Sequence, residues 1–417
     1  MHYYIYPNGG NAKYIAWSIE FLNERGRGNN SYSFIDDKQE EISLKSMSKK
    51  IINDIYENKG KLLLSSPKYY DILLHKVSEN GIFECYDGIK FYAKAINAYF
   101  KLQLKQRRVI AIQLSGFSLQ QKHLGSIPRR LKNAGFEIVW VVSYAHYWIK
   151  DILEDFKARG EYFVLADCEV LEHLDFFPFI LEQTNIIKFH TNVHSLKIVT
   201  SMEQISNRIC SPKSLEDLLN TAFFLSNYLN IHSKSLYKEI LKLQSFGGAI
   251  TQVESRFIKG GYPSIEVEVE EFQRDRCEVK RDTIIFISAY LNFNHPHYLA
   301  TIIHNVLNAG FRVVFKSCPP LEEDKKEQED TFTKEFLRFA NFIYWQNDKP
   351  RLSTEELNRS ITAIELYSSM MYSYPVITKR PAILLYPKKE SIPQDLLEQD
   401  CFYHKDLHIR IFEEDSK

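Results

Sequence analysis

Apolar positions along this chain fall into two alternating patterns. Short continuous runs, HYYIYP, KLLL, RVIAIQLSG (108–116), FEIVWVVSY (136–144) and YFVLAD (162–167), read as strands, RVIAIQLSG and FEIVWVVSY as buried ones. Between them apolar residues recur at helical spacing, as in AKYIAWSIEFLNERG, where Ile15, Ile19, Phe21 and Leu22 fall on one side. SYSFIDD predicts a strand ending in two acids. KLLLSSPKYYDILLHKVSENG predicts strand, turn and a helix stopped at Gly81, and IPRRLKNAG a helix with a glycine stop. NIIKFH (185–190) and GGAITQV predict two more strands, and the period over 213–245 predicts helix. Strands alternating with helices imply α/β architecture around parallel sheets.

The charged stretch EEFQRDRCEVKRD, 270–282, separates two apolar-rich blocks and reads as a linker. Beyond it the alternation restarts: TIIFISAY strand, HYLATIIHNVLNAG helix, FRVVFKS strand, a charged helix, NFIYW strand. RSITAIELYSSMMYSYPVITKRPAILLYP then reads as strand, loop, short helix and strand. The expected architecture is two Rossmann-like domains, 1–272 and 281–417, facing a cleft, with the linker as hinge.

Composition narrows the function classes. Fifty-three basic and 53 acidic side chains cancel, which argues against bulk electrostatic capture of nucleic acid. Six cysteines, Cys85, Cys168, Cys210, Cys277, Cys318 and Cys401, contain no CxxC, so neither a zinc site nor a disulfide framework is expected, and the reducing cytoplasm is the expected location. The N-terminus lacks a basic region followed by an apolar one, and no apolar run is long enough to span a membrane. Lys101–Arg108, KLQLKQRR, could bring the chain to anionic lipid as a peripheral contact, against the plainer reading of a solvated helix face.

Candidate chemistry sits where loops follow strands. Asn8, Gly9 and Gly10 lie between a strand and a helix, where backbone amides can approach an anion. Asp36 and Asp37 close the next strand, as a ribose-binding acid would, but GxGxxG is missing, which disfavours a nicotinamide enzyme. His123, beside Lys122 in the loop after 108–116, is a candidate general base, and so is His194 in FHTNVHSL. His190 and His194 are four apart, but no HExxH glutamate lies between them; no metal and no cofactor are expected. Asp167 and Glu169, after the 162–167 strand, are the reserve bases. Ser368 and Ser369 follow a predicted strand and precede a short helix, a setting that suits phosphate or merely a helix cap, and Arg380 opens the next strand.

Here the residues carry a family resemblance. GGYPSIEV (260–267) resembles the GYPR(N/K)D segment of CDP-glycerol glycerophosphotransferases and related capsule enzymes. IELYSSMMYSYPVITKRPAILLYP resembles their ITDYSSVMFDFANLNRPILFY segment, and IIFISAYLN with LATIIHNVLNAGFRVVFKSCPP resembles their ILYAPTW and LLKKGYKVIFRPHP stretches. The resemblance covers roughly the C-terminal half and implies a two-domain GT-B fold, with donor binding in the C-terminal domain and acceptor binding in the N-terminal one. It implies donor contacts at Lys316, Ser317, Glu365, Tyr367, Ser368, Ser369 and Arg380, metal-independent transfer from a CDP-, CMP- or UDP-linked donor, and a polysaccharide or glycolipid acceptor. The chain departs from the pattern where Arg-Pro-His-Pro reads Lys316, Ser317, Cys318, Pro319, and where the acid before YSS is Glu365. The expected function is GT-B-type transfer of a sugar or alditol phosphate onto a bacterial surface polysaccharide; the alternative is a non-catalytic glycan-binding or assembly protein.

Overall fold

A computed structural model describes residues 1–114, 124–144, 149–182, 194–198, 228–230, 257–258, 260–261, 263–288, 296–317, 323–345, 352–365, 370–386 and 405–412. The chain divides into two compact units, Met1–Gly116 with Leu131–Leu196, and Phe117–Arg130 with Lys197–Lys417. Among the described residues the strands pair in parallel, as the α/β alternation requires.

The first unit opens with a four-stranded sheet: β1 (His2–Tyr6), β2 (Ser31–Phe34), β3 (Gly60–Leu64) and β4 (Cys85–Asp87), ordered β2-β1-β3-β4. Tyr4, Tyr6, Leu62 and Leu64 alternate toward the helices Leu44–Tyr56 and Tyr70–Glu79 and pack on Leu44, Ile51, Leu73 and Val77. The helices Ala12–Glu24 and Gly88–Gln103 pack on each other. Asp87 caps the second of these, accepting from Ile89 and Lys90 N–H.

The same unit holds a second sheet. β5 (Arg108–Leu114), β6 (Phe136–Val142), β7 (Tyr162–Leu165) and β8 (Phe179–Glu182) lie in the order β8-β5-β6-β7. The two sheets of this unit are joined by aromatic packing. Trp17 meets Tyr92 and Phe163, Phe100 stacks on Phe176 at 4.5 Å, and the buried Tyr92 hydroxyl donates to the Leu165 carbonyl at 2.6 Å. The region expected as one Rossmann-like body, 1–272, therefore contains two distinct parallel sheets. β9 (His194–Ile198) follows.

In the other unit β10 (Tyr228–Asn230) pairs with β11 (Phe257–Ile258). This corrects the expectation of helix over 213–245: residues 228–230 are strand. A helical period cannot see a three-residue strand, which tertiary pairing decides. Asn230, buried, donates to the Gly261 carbonyl at 2.8 Å. The predicted strands 185–190 and GGAITQV lie outside the described residues.

The helix Pro263–Arg274 has proline at its first position, where the missing N–H costs nothing. It packs on the helix Met370–Thr378, so the first part of the predicted 270–282 linker is helix belonging to this unit. The six-stranded sheet consists of β12 (Thr283–Ser288), β13 (Arg312–Ser317), β14 (Phe342–Trp345), β15 (Ser360–Glu365), β16 (Ala382–Tyr386) and β17 (His408–Phe412). Its order is β14-β13-β12-β15-β16-β17, which in local numbering is the Rossmann order 3-2-1-4-5-6. One face buries Phe286, Ile303, Phe315 and Phe336; the other buries Ile285, Val314, Ala363 and Tyr374. The helix Pro296–Asn308 ends before Gly310, whose φ of +83° is a left-handed stop.

Candidate functional site

Strand order reverses between β12 and β15, and in such sheets ligands sit beyond the carboxyl ends at that point. Lys316 and Ser317 are the last two residues of β13, level with Ile287 and Ser288 of β12. Glu365 ends β15 and pairs with Leu384. The fold thus gathers Lys316, Ser317 and the backbone of Glu365 at one edge. Tyr367, Ser368 and Ser369, which follow Glu365 in sequence, lie outside the described residues, as does Cys318.

Alternation sends Lys316 and Ser317 to opposite faces of the sheet. Lys316 is buried, and its Nζ donates to the Ser317 carbonyl at 3.1 Å. It lines a cavity of about 90 Å³ with Glu268, Glu271 and Phe272 of the helix Pro263–Arg274 and Met370 and Tyr374 of the helix Met370–Thr378. Ser317 is 1% exposed, and its Oγ has no hydrogen-bond partner. An orphaned buried hydroxyl costs about 1–3 kcal/mol unless something satisfies it, so Ser317 is the described residue of this edge that most asks for a ligand.

Arg380 is not at this edge. It stands two residues before β16, at the amino edge of the sheet, as does Ser360, the first residue of β15. Its Nη1 donates to the Leu357 carbonyl and, at 2.5 Å and 3.0 Å, to the Ser360 carbonyl and Oγ. Burial lowers its pKa from the usual arginine range. The expected donor contact at Arg380 is therefore separated from Lys316 and Ser317 by the length of the strands, because an arginine that opens a parallel strand lies opposite the carboxyl ends.

In the first unit, Asn8, Gly9 and Gly10 form the loop between β1 and the helix Ala12–Glu24. Asn8 N–H donates to the Ile35 carbonyl at 3.0 Å and Gly9 N–H to the Pro7 carbonyl at 2.9 Å. A Cβ on either glycine would meet nothing within 4 Å, so crowding does not require them. Asn11 stands at the helix start without capping it and donates to Glu169 at 2.6 Å. Asp37 accepts from Tyr6, Lys76 and the Leu44 N–H, which makes it a structural tie. Asp36 accepts from the Lys38 N–H.

Asp167 accepts from the Val170 N–H at the start of the short helix Cys168–Leu171, and burial raises its carboxyl pKa. Beside it, Tyr14 accepts from the Tyr144 N–H at 3.1 Å and lies 3.2 Å from Ser143 Oγ; burial pushes its pKa up to about 12. The reserve bases Asp167 and Glu169 are thus both engaged by neighbours. His194 opens β9, and His123, His190 and the predicted strand 185–190 lie outside the described residues.

Sequence reasoning missed Gln113, whose only signal is one polar residue inside the run RVIAIQL. Among the described residues no group of three His, Cys, Asp or Glu side chains could hold a metal, and no helix is long and apolar enough to cross a membrane.

No protein-family model matches the chain, and no curated relative matches it. Among solved structures it is similar to the UDP-GlcNAc 2-epimerase from Methanocaldococcus jannaschii, with TM-score 0.48, 11% identity, and coverage of 73% of this chain and 89% of that one. It is also similar to Anabaena HepE in complex with UDP and glucose, at TM-score 0.42 and 10% identity over 67% of this chain and 81% of that one. A variant of the wall teichoic acid polymerase TagF gives TM-score 0.43 and 13% identity over 76% and 79%. With likeness this distant, the fold assignment rests on the chain's own strand order: an α/β protein built from parallel, Rossmann-like sheets.

Proposed function

We propose that the chain is a GT-B-type, metal-independent transferase that moves a sugar or alditol phosphate from a CDP-, CMP- or UDP-linked donor to a bacterial surface polysaccharide or glycolipid. The observation that carries this reading is the carboxyl edge of the six-stranded sheet. Lys316, an unpartnered Ser317 hydroxyl and the end of β15 flank the strand reversal there. A buried ammonium and a hydroxyl on the two faces of one strand's carboxyl end offer a phosphate a charge on one side and a hydrogen-bonding group on the other. The segment after Glu365, with Tyr367, Ser368 and Ser369, completes the proposed donor set by resemblance. In this reading residues 281–417 serve the donor and 1–272 the acceptor. Asn8, Gly9 and Gly10 lie on the acceptor side, and His123 or His194 takes the acceptor proton. The work is done at the cytoplasmic face of the membrane.

The test is a thermal-shift panel of CDP, CMP, UDP and GDP. A nucleotide at 100 times its Kd adds about 2.7 kcal/mol of stability. One nucleotide should bind, and Lys316→Ala should weaken it. Turnover should fall about 10²–10⁴-fold in whichever of His123→Ala and His194→Ala removes the base, with donor affinity kept. The departure at Cys318 favours the second reading, a non-catalytic glycan-binding or assembly protein. Nucleotide binding without transfer by the wild type would select it.

A further inference from the structure

An orphaned polar atom also lies in the other unit. Gln113 is the penultimate residue of β5, level with Val141 of β6, and its Oε1 is buried without a hydrogen-bond partner. Its neighbours along the strand, Ala111, Ile112 and Leu114, are fully or nearly fully buried apolar residues. Replacing this glutamine by an apolar residue would relieve the fold of an unsatisfied group, so stability alone gives no reason for it.

Its position supplies one. The strand order β8-β5-β6-β7 reverses between β5 and β8, which pair at Ile112 and Leu181. Gln113 therefore stands at the carboxyl end of the strand beside the reversal, where an open α/β sheet takes its ligand.

The chemistry of the group limits what that ligand can be. A primary amide is neutral and offers no charge to a phosphate or an ammonium. Its two ends are an acceptor and a donor, and either orientation is satisfied by a hydroxyl, which both donates and accepts. We infer that Gln113 is a specificity-determining residue that hydrogen-bonds a neutral hydroxyl-bearing ligand, of the polyol or sugar class, at the carboxyl end of β5. The inference rests on the proposed transferase reading only in naming that ligand the acceptor end. Gln113 binds and orients; it moves no proton.

The experiment uses the full chain, with glycerol and methyl glucoside as probes, titrated by saturation-transfer NMR, and compares the wild type with Gln113→Leu. Thermal midpoints are measured alongside, and CDP, CMP and UDP binding is recorded in parallel. The expected result is that the wild type binds at least one probe. Gln113→Leu should bind it at least tenfold more weakly, with a midpoint equal to or above that of the wild type and nucleotide binding unchanged.

Equal probe binding by the two proteins overturns the inference. A midpoint lowered by several degrees also overturns it, since the amide would then be a structural partner. Failure of the wild type to bind either probe overturns the assignment to the hydroxyl class. Probe binding that depends on Gln113, in a protein that binds no nucleotide, would sink the transferase reading and leave this one standing.

Discussion

The two edges of the six-stranded sheet use their polar groups in opposite ways. At the amino edge Arg312 donates to Glu356 through both terminal guanidinium nitrogens, Nη1 and Nη2, and the two side chains are 17% and 9% exposed. Arg359 pairs with Asp282 at 2.7 Å, and Arg380 ties the end of the helix Thr354–Arg359 to the start of β15. Ser360 and Tyr374 hydroxyls meet at 2.8 Å. At the carboxyl edge Ser317 Oγ has no partner, and Lys316 faces a cavity. The amino-edge groups each find partners within the fold, although the Arg380 Nε is itself buried without one. A group left unsatisfied at the ligand-binding edge is the better evidence of function.

The comparison breaks most readily at Glu356. Glu356→Gln leaves the Arg312 guanidinium buried without its counter-charge, and equilibrium urea unfolding should show a loss of about 3–5 kcal/mol. Nucleotide affinity of the folded fraction should be unchanged.

Arg380→Ala is next in size. It removes charge-assisted hydrogen bonds to two carbonyls and a hydroxyl, and stability should fall by about 1.5–3 kcal/mol. Calorimetry should find nucleotide affinity as in the wild type; a tenfold loss there would return Arg380 to the donor site.

Ser317→Ala sharpens the opposite edge. It deletes a hydroxyl that satisfies nothing within the fold, so the thermal midpoint should hold or rise. The affinity of the nucleotide found by the panel should fall by about 0.5–1.5 kcal/mol. A lower midpoint with unchanged affinity would make the two edges alike.

The smallest effect is on pH. The Arg359 guanidinium hydrogen-bonded to Asp282 lowers the carboxyl pKa. A carboxylate lowered on folding stabilises the protein above its unfolded pKa, near 3.9, and that contribution is lost as pH falls through the folded value. Asp282→Asn should therefore cost stability at neutral pH and flatten the acid limb of the midpoint profile below about pH 4. A profile parallel to that of the wild type would show the pair to be energetically idle.

Much of this architecture is legible in the sequence. RVIAIQL and FEIVWVV read as buried strands, and the glycines after KVSEN and RLKNA marked helix ends that the structure confirms at Gly81 and Gly135. Lys316 and Ser317 were singled out by the resemblance of FRVVFKSCPP to the family's KVIFRPHP stretch. Arg380 was read as a phosphate contact because it lies near the serine pair in sequence. That it opens a parallel strand puts it at the far edge, which becomes evident only once strand direction is fixed. Gln113 was invisible, since one polar residue in an apolar strand does not announce whether a neighbour satisfies it.

Local sequence therefore determined which segments are strands and helices, because side-chain period and glycine stops act over a few residues. It also determined the parallel α/β class. Only the tertiary structure decided that the first 182 residues form two sheets rather than one, that residues 228–230 pair as strand, and which strand ends share an edge. It also decided which buried polar atoms remain without a partner. These depend on contacts between residues far apart in the chain, and no local pattern encodes the partner at the other end of such a contact.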